Sequence, residues 1–342
     1  MEALRVPLLA PLLARRTLLP GILACLTVAM AASFLSDHYG GPTMLFALLL
    51  GMAFNFLHKE SSSRPGIEFC SRTVLRFGVA LLGARITFDA FADLGWHTVI
   101  FVIAALVATI LFGWCLARWN KEKSAFGILT GGAVAICGAS AALAISAVLP
   151  RDERLEQDTL FTVIGVTTLS TIAMILYPII SSSLSLSDIE AGVFLGGTIH
   201  DVAQVVGSGY SISEQAGDIA TVTKLLRVTM LVPVVLVISL IMNRKTRNTD
   251  TARLPLPLFL VGFIALVIAN SFDFLPEKIL PTLNDLSRAC LVMAIAGLGM
   301  KTALGEFKNL GFRPIMIIGL ETLFLAILFL VFLSLNLLSL PN

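Results

Sequence analysis

Apolar runs of roughly bilayer-spanning length, separated by short polar segments, recur along almost the whole chain. About 20 apolar residues cross the hydrocarbon core as a helix. The runs divide into eleven candidate spans, at residues 17–34, 42–57, 67–84, 94–116, 124–149, 159–180, 189–206, 219–242, 255–272, 279–300 and 314–338. Without the period-two alternation of half-buried strands, this pattern predicts an all-α polytopic membrane protein. Arg15 and Arg16 give the first span a positive start, and Ala31, Ala32 and Ser33 give it a small-residue end. A cleaved signal peptide has the same profile, but the apolar core is long enough to stay as a span.

Polar and small residues inside the spans are unevenly placed. Span five holds Gly127, Gly131, Gly132 and Gly138, with Thr130, Cys137 and Ser140 among them. Each glycine costs about 1 kcal/mol against alanine in a helix interior, so the run predicts backbone that unwinds or is closely approached. In a membrane such backbone must be buried in protein or line a wet cavity. The expected break lies at 137–140, with the three earlier glycines serving helix packing. Span seven carries Gly196, Gly197, His200, Asp201 and Gln204, span eight Lys224 and Arg227 with a kink at Pro233, and span three Glu68, Arg72 and Arg76 at i,i+4 spacing.

Composition agrees: 57% of residues are hydrophobic and 13% charged, far from soluble usage. The net charge of +2 matters less than its placement. With the N-terminus inside, cytoplasmic segments hold fifteen Lys and Arg and outer loops four, which supports that orientation. Omitting span one leaves two five-span units, and an odd number inverts the second relative to the first. The expected domains are 1–37 (first span), 38–183 (repeat one) and 184–342 (repeat two). Leu50-Gly51 and Leu195-Gly196, offset by 145, and Leu75-Arg76 and Leu226-Arg227, offset by 151, favour this pairing. A rival offset of 216 matches Ser71-Arg72 with Ser287-Arg288 and Leu82-Gly83 with Leu298-Gly299.

Ionisable side chains are costly in hydrocarbon and mark function or pairing. Glu68 is expected to neutralise Arg72, so that Arg76, Lys224 and Arg227 leave positive potential for an anionic solute; the structural alternative is pairing with carboxylates or backbone carbonyls. His200 and Asp201 could carry a proton or lock two helices together, and Gln204 is a donor to solute or backbone. A half-helix starting after Gly138 would offer free N–H groups and a positive dipole end, with Cys137 and Ser140 beside it. Five scattered cysteines and a single deep histidine indicate no disulfide framework, metal site or cofactor. No convergent nucleophile and base stand out, so no enzyme is expected.

The motifs Leu75-Arg76-x-Gly78-x-x-Leu81-Leu82-Gly83-x-Arg85-Ile86, Ile136-Cys137-Gly138-Ala139-Ser140-Ala141, His200-Asp201-x-x-Gln204-Val205-Val206 and Lys224-Leu225-x-Arg227 together resemble the YeiH-type bacterial inner-membrane proteins, described as sulfate exporters. The resemblance runs from about residue 40 to residue 335. It implies a fold similar to the cation-proton antiporter and bile-acid symporter superfamily, with inverted five-span repeats. Spans 2, 3, 7 and 8 would form a panel and spans 4–6 and 9–11 a core, in which broken spans five and ten cross. The implied activity is secondary, alternating-access transport of sulfate, sulfite or a small sulfonate, with a proton or sodium as coupling ion and a homodimer as the expected assembly. The antiporters' ion-binding aspartate pair has no match at 137–140, which argues against simple cation exchange. An anion channel, or a sodium-coupled carboxylate transporter, is the alternative reading; nucleic acid is not an expected partner.

Overall fold

Backbone N–H and C=O groups in hydrocarbon must satisfy one another, and a helix does this within one segment. The computed structural model describes residues 6–39, 43–59, 62–86, 95–150, 154–243, 258–276, 278–301 and 312–335, and every regular element among them is helical. Basic residues at 5, 151, 244–253 and 308, used in the orientation count, lie outside the described residues.

In chain order the helices are α1 (Val6–Tyr39), α2 (Thr43–Ala53), α3 (Phe56–Lys59), α4 (Arg64–Phe69), a π-helical turn (Cys70–Val74), α5 (Leu75–Leu82), α6 (Gly95–Trp119), α7 (Ser124–Ala135) and α8 (Ala139–Ser146). There follow α9 (Leu155–Ser183), α10 (Asp188–Thr198), α11 (Val202–Gly209), α12 (Glu214–Thr229), α13 (Leu231–Asn243), α14 (Leu258–Ser271), α15 (Leu280–Lys301) and α16 (Phe312–Ser334). Six segments are long and apolar enough to cross a membrane, and α2, α7 and α14 are shorter apolar helices. Leu19, Met30, Leu111, Leu240, Ile241, Leu323 and Ile327 are exposed, as lipid-facing side chains would be. Trp96 and Trp119, at opposite ends of α6, are also exposed; 23 residues of helix place them about 35 Å apart, close to the spacing of the two interfacial aromatic belts.

The chain packs as two units, residues 1–88 with 258–303 and residues 89–257 with 304–342. In the first, α15 lies against α1, α2, α4, the π-helical turn and α5, while α14 lies against α5. Spans three and ten, the pair related by the 216-residue offset, meet here: Ser287 Oγ donates to the Gly78 carbonyl at 2.7 Å. Glu68 accepts from Arg64 Nε at 3.1 Å and lies 3.7 Å from His58, rather than pairing with Arg72 as expected. Arg64 shares Glu68's face one turn earlier, close enough to bond it.

In the second unit α6 packs along α7, α12 packs along α10 and α11, and α16 packs on α6, α7, α9 and α10. The first approach is close because Gly127 sets its Cα against the Gly113 carbonyl, where a Cβ would collide. Spans seven and eight therefore pack with spans four to six and eleven, whereas the expected panel joined them to spans two and three. The interruption between α12 and α13 falls at Met230, because Pro233 lacks the N–H that would reach Thr229 O.

The expected pair of broken helices requires correction. Span five breaks as predicted, between α7 and α8, but span ten is the continuous helix α15. The second break lies in span seven, between α10 and α11.

Candidate functional site

Two interruptions in the second unit form the site. At the first, α7 ends at Ala135, Ile136 turns away at φ −112° and ψ −84°, and Gly138 adopts φ 64° and ψ −125°, a conformation that side chains rarely tolerate. At the second, Ile199 and Asp201 are extended, with ψ 139° and 138°, between α10 and α11. The interruptions face each other, since a Cβ on Gly138 would sit 3.4 Å from His200 Cβ.

A helix that stops inside protein leaves carbonyls without partners at its C-terminal end. Lys224 and Arg227, one turn apart on α12, supply them. Lys224 Nζ donates to Ile136 O at 2.7 Å and to Ile199 O at 2.9 Å, one carbonyl from each break. Arg227 donates through Nε to Ala135 O at 2.8 Å, through Nη2 to Val134 O at 2.7 Å, and through Nη1 to Gly197 O at 2.7 Å, with Gly196 O and Ile199 O slightly farther off. Both cations are fully buried and clamp the C-terminal ends of α7 and α10.

The N-terminal ends of the second halves differ. Asp201 caps α11, its Oδ1 accepting from Ala203 N at 2.8 Å, while Ser170 Oγ of α9 accepts from the His200 and Asp201 N–H groups at 3.1 Å each. No side chain caps α8. The N–H groups of Ala139, Ser140 and Ala141, in its first turn, have no carbonyl four residues back within the helix. Ser140 is exposed; its Oγ donates to Cys137 O at 3.2 Å and lies 2.9 Å from the Cys137 sulfur. Cys137 itself is buried.

His200 and Asp201 bond to other groups rather than to each other. His200 is fully buried and its Nε2 lies 3.0 Å from Thr322 Oγ1. Thr322 gives its own hydrogen to Ile318 O at 2.8 Å, so its oxygen is free to accept from His200 Nε2–H. The Asp201 carboxylate caps the α11 terminus instead. Gln204 Nε2 donates to Thr171 Oγ1 at 2.8 Å, and its buried Oε1 has no partner. Arg76 stands exposed on α5 in the other unit.

Sequence reasoning did not single out Ser170, Thr171 or Thr322, the groups that hold the second break. For Ser170 and Thr171 the only signal was the Thr and Ser content of span six, which did not indicate which hydroxyls face span seven; Thr322, in span eleven, had none.

Comparison with known proteins agrees with this membrane architecture. The family model described as conserved hypothetical protein 698 matches residues 20–318. The chain is 55% identical over 312 residues to a UPF0324 membrane protein of Chlorobaculum tepidum, covering 90% of this chain and 87% of that one. The chain belongs to this UPF0324 family. Its similarity to the UPF0324 membrane protein TauZ of Paracoccus pantotrophus is 50% over 312 residues, covering 90% and 92% of the two chains. A UPF0324 membrane protein of Rhizobium meliloti is 49% identical, with 90% of each chain covered. This is the family the motifs resembled, and the chain is a multi-pass membrane protein. No solved structure matches it.

Proposed function

We propose that this protein is a secondary transporter of a small oxyanion, of the sulfate, sulfite or short sulfonate class, working by alternating access in the bacterial inner membrane. The N-terminus would be cytoplasmic, with eleven spans in inverted repeats. The observation that carries the reading is the asymmetry of the two breaks. Carbonyl ends are clamped by Lys224 and Arg227 and the α11 terminus is closed by Asp201, whereas the α8 terminus is uncapped beside an exposed hydroxyl. A half-helix N-terminus attracts anions through free N–H groups and its dipole.

Charge supports the same assignment. The two positive and two negative half-helix ends cancel approximately, while Arg227, Asp201 and a protonated Lys224 together leave one positive charge. A bound monoanion neutralises it. Lys224 and Arg227 contribute through potential and by fixing the break, with Ser140 and the α8 N–H groups as the direct ligands.

The test is counterflow of labelled sulfite, sulfate and short alkylsulfonates into proteoliposomes. Saturable, counterflow-stimulated uptake is expected. Ser140→Ala should weaken apparent affinity by about tenfold, the loss of one charge-assisted hydrogen bond. Non-saturating flux or single-channel currents would point instead to a channel.

A further inference from the structure

The second unit holds one more buried ionisable group, which the site above does not use. Glu321, in the middle of α16, is fully buried. Its Oε1 lies 2.7 Å from Thr130 Oγ1 of α7, and its Oε2 has no hydrogen-bond partner. No cation pairs with it among the described residues. Thr130 Oγ1 also lies 3.1 Å from Phe126 O, the carbonyl one turn back that threonine hydroxyls in helices ordinarily bond. A hydroxyl has one hydrogen. The contact to Glu321 is the shorter, so Thr130 donates to Oε1; the carboxyl group has that one neutral donor, and its Oε2 is bare.

The surroundings favour a protonated carboxyl group. An ionised carboxylate buried with a single neutral donor is far more costly than a protonated one. On the elements packed against α16, the titratable groups are His97, Cys115 and Arg118 of α6, Glu156, Asp158 and Tyr177 of α9, and Asp188 and Glu190 of α10; α7 has none. Arg118 lies over the Trp114 ring and Glu190 is held by Ser187 in a capping box. His200 reaches α16 through Thr322, the residue next to Glu321.

We propose that Glu321 is a proton-binding site whose protonation is linked to anion occupancy. The linkage rests on the anion-transport reading. With Glu321 protonated, the unit interior keeps the positive charge that an anion neutralises; with Glu321 ionised, that charge is already balanced. Proton and anion therefore bind together and leave together, and each strengthens the other by the same factor.

Two measurements on the full-length protein in lipid test this. The first is infrared difference spectroscopy between acidic and alkaline buffer. A protonated-carboxyl band that disappears at alkaline pH is expected; it should be absent in Glu321→Gln and shifted in Thr130→Val, which keeps the acid but removes its partner. An identical band in wild type and Glu321→Gln would overturn the assignment of the proton. The second is the affinity for a short alkylsulfonate, which stays a monoanion throughout, against pH. Wild type should weaken with rising pH, approaching about tenfold per unit at full linkage, while Glu321→Gln, frozen in the neutral form, should be flat. Equal slopes in the two proteins would overturn the linkage. Absence of binding by either protein at any pH would overturn the transport reading and the linkage with it, leaving the infrared band to decide the proton site by itself.

Discussion

Gly138 is the residue on which the first break depends. At φ 64° and ψ −125° a Cβ meets only ordinary contacts, so the cost of adding one is conformational rather than steric. Gly138→Ala is expected to cost about 1–3 kcal/mol, seen as a lower melting temperature in detergent, and to reduce transport more than stability because the α8 terminus shifts. Lys224 and Arg227 could be singled out in the sequence by their depth, but their partners could not. Those partners are carbonyls at 134–136 and 196–199, brought to α12 only by the fold. Arg227→Leu should cost about 3–5 kcal/mol, comparable to breaking a buried ion pair, and thermal unfolding checks it. Arg227→Lys should recover part of the loss. An Arg227→Leu protein that melts like wild type but no longer binds the anion would make Arg227 a direct ligand instead.

At the scale of elements, two glycine-bearing segments that look alike in sequence behave differently. The run Ala294-Ile295-Ala296-Gly297-Leu298-Gly299 stays helical because its small residues are used for close approach to α2 and the π-helical turn. Span seven breaks because side chains take over backbone donors: Ser170 accepts two N–H groups and Asp201 a third. Composition marks both segments as pliable, but only the tertiary partner decides which one opens. Asp201 therefore acts first as a helix cap. Asp201→Ala is expected to cost about 1 kcal/mol and Asp201→Asn much less, by thermal unfolding. Asp201→Asn should also leave the pH dependence of anion binding intact, whereas its loss there would restore Asp201 as the proton carrier.

Across the whole molecule, the membrane class and most helical segments could be read from apolar run lengths, since hydrocarbon permits few alternatives to a helix. Which spans pack together could not, because lipid-facing and protein-facing apolar residues are the same types: Leu323 is exposed and Leu325 buried on one helix. The central claim is that the anion sits at the α8 terminus, with Lys224 and Arg227 already occupied by carbonyls. Anomalous diffraction from crystals grown with selenate as a sulfate substitute tests it most directly. The account predicts a single strong peak within hydrogen-bond reach of Ser140 Oγ and the Ala139–Ala141 N–H groups, lost in Ser140→Phe. A peak beside Arg227, Lys224 or Arg76 instead, or none in a protein that transports selenate saturably, would contradict it.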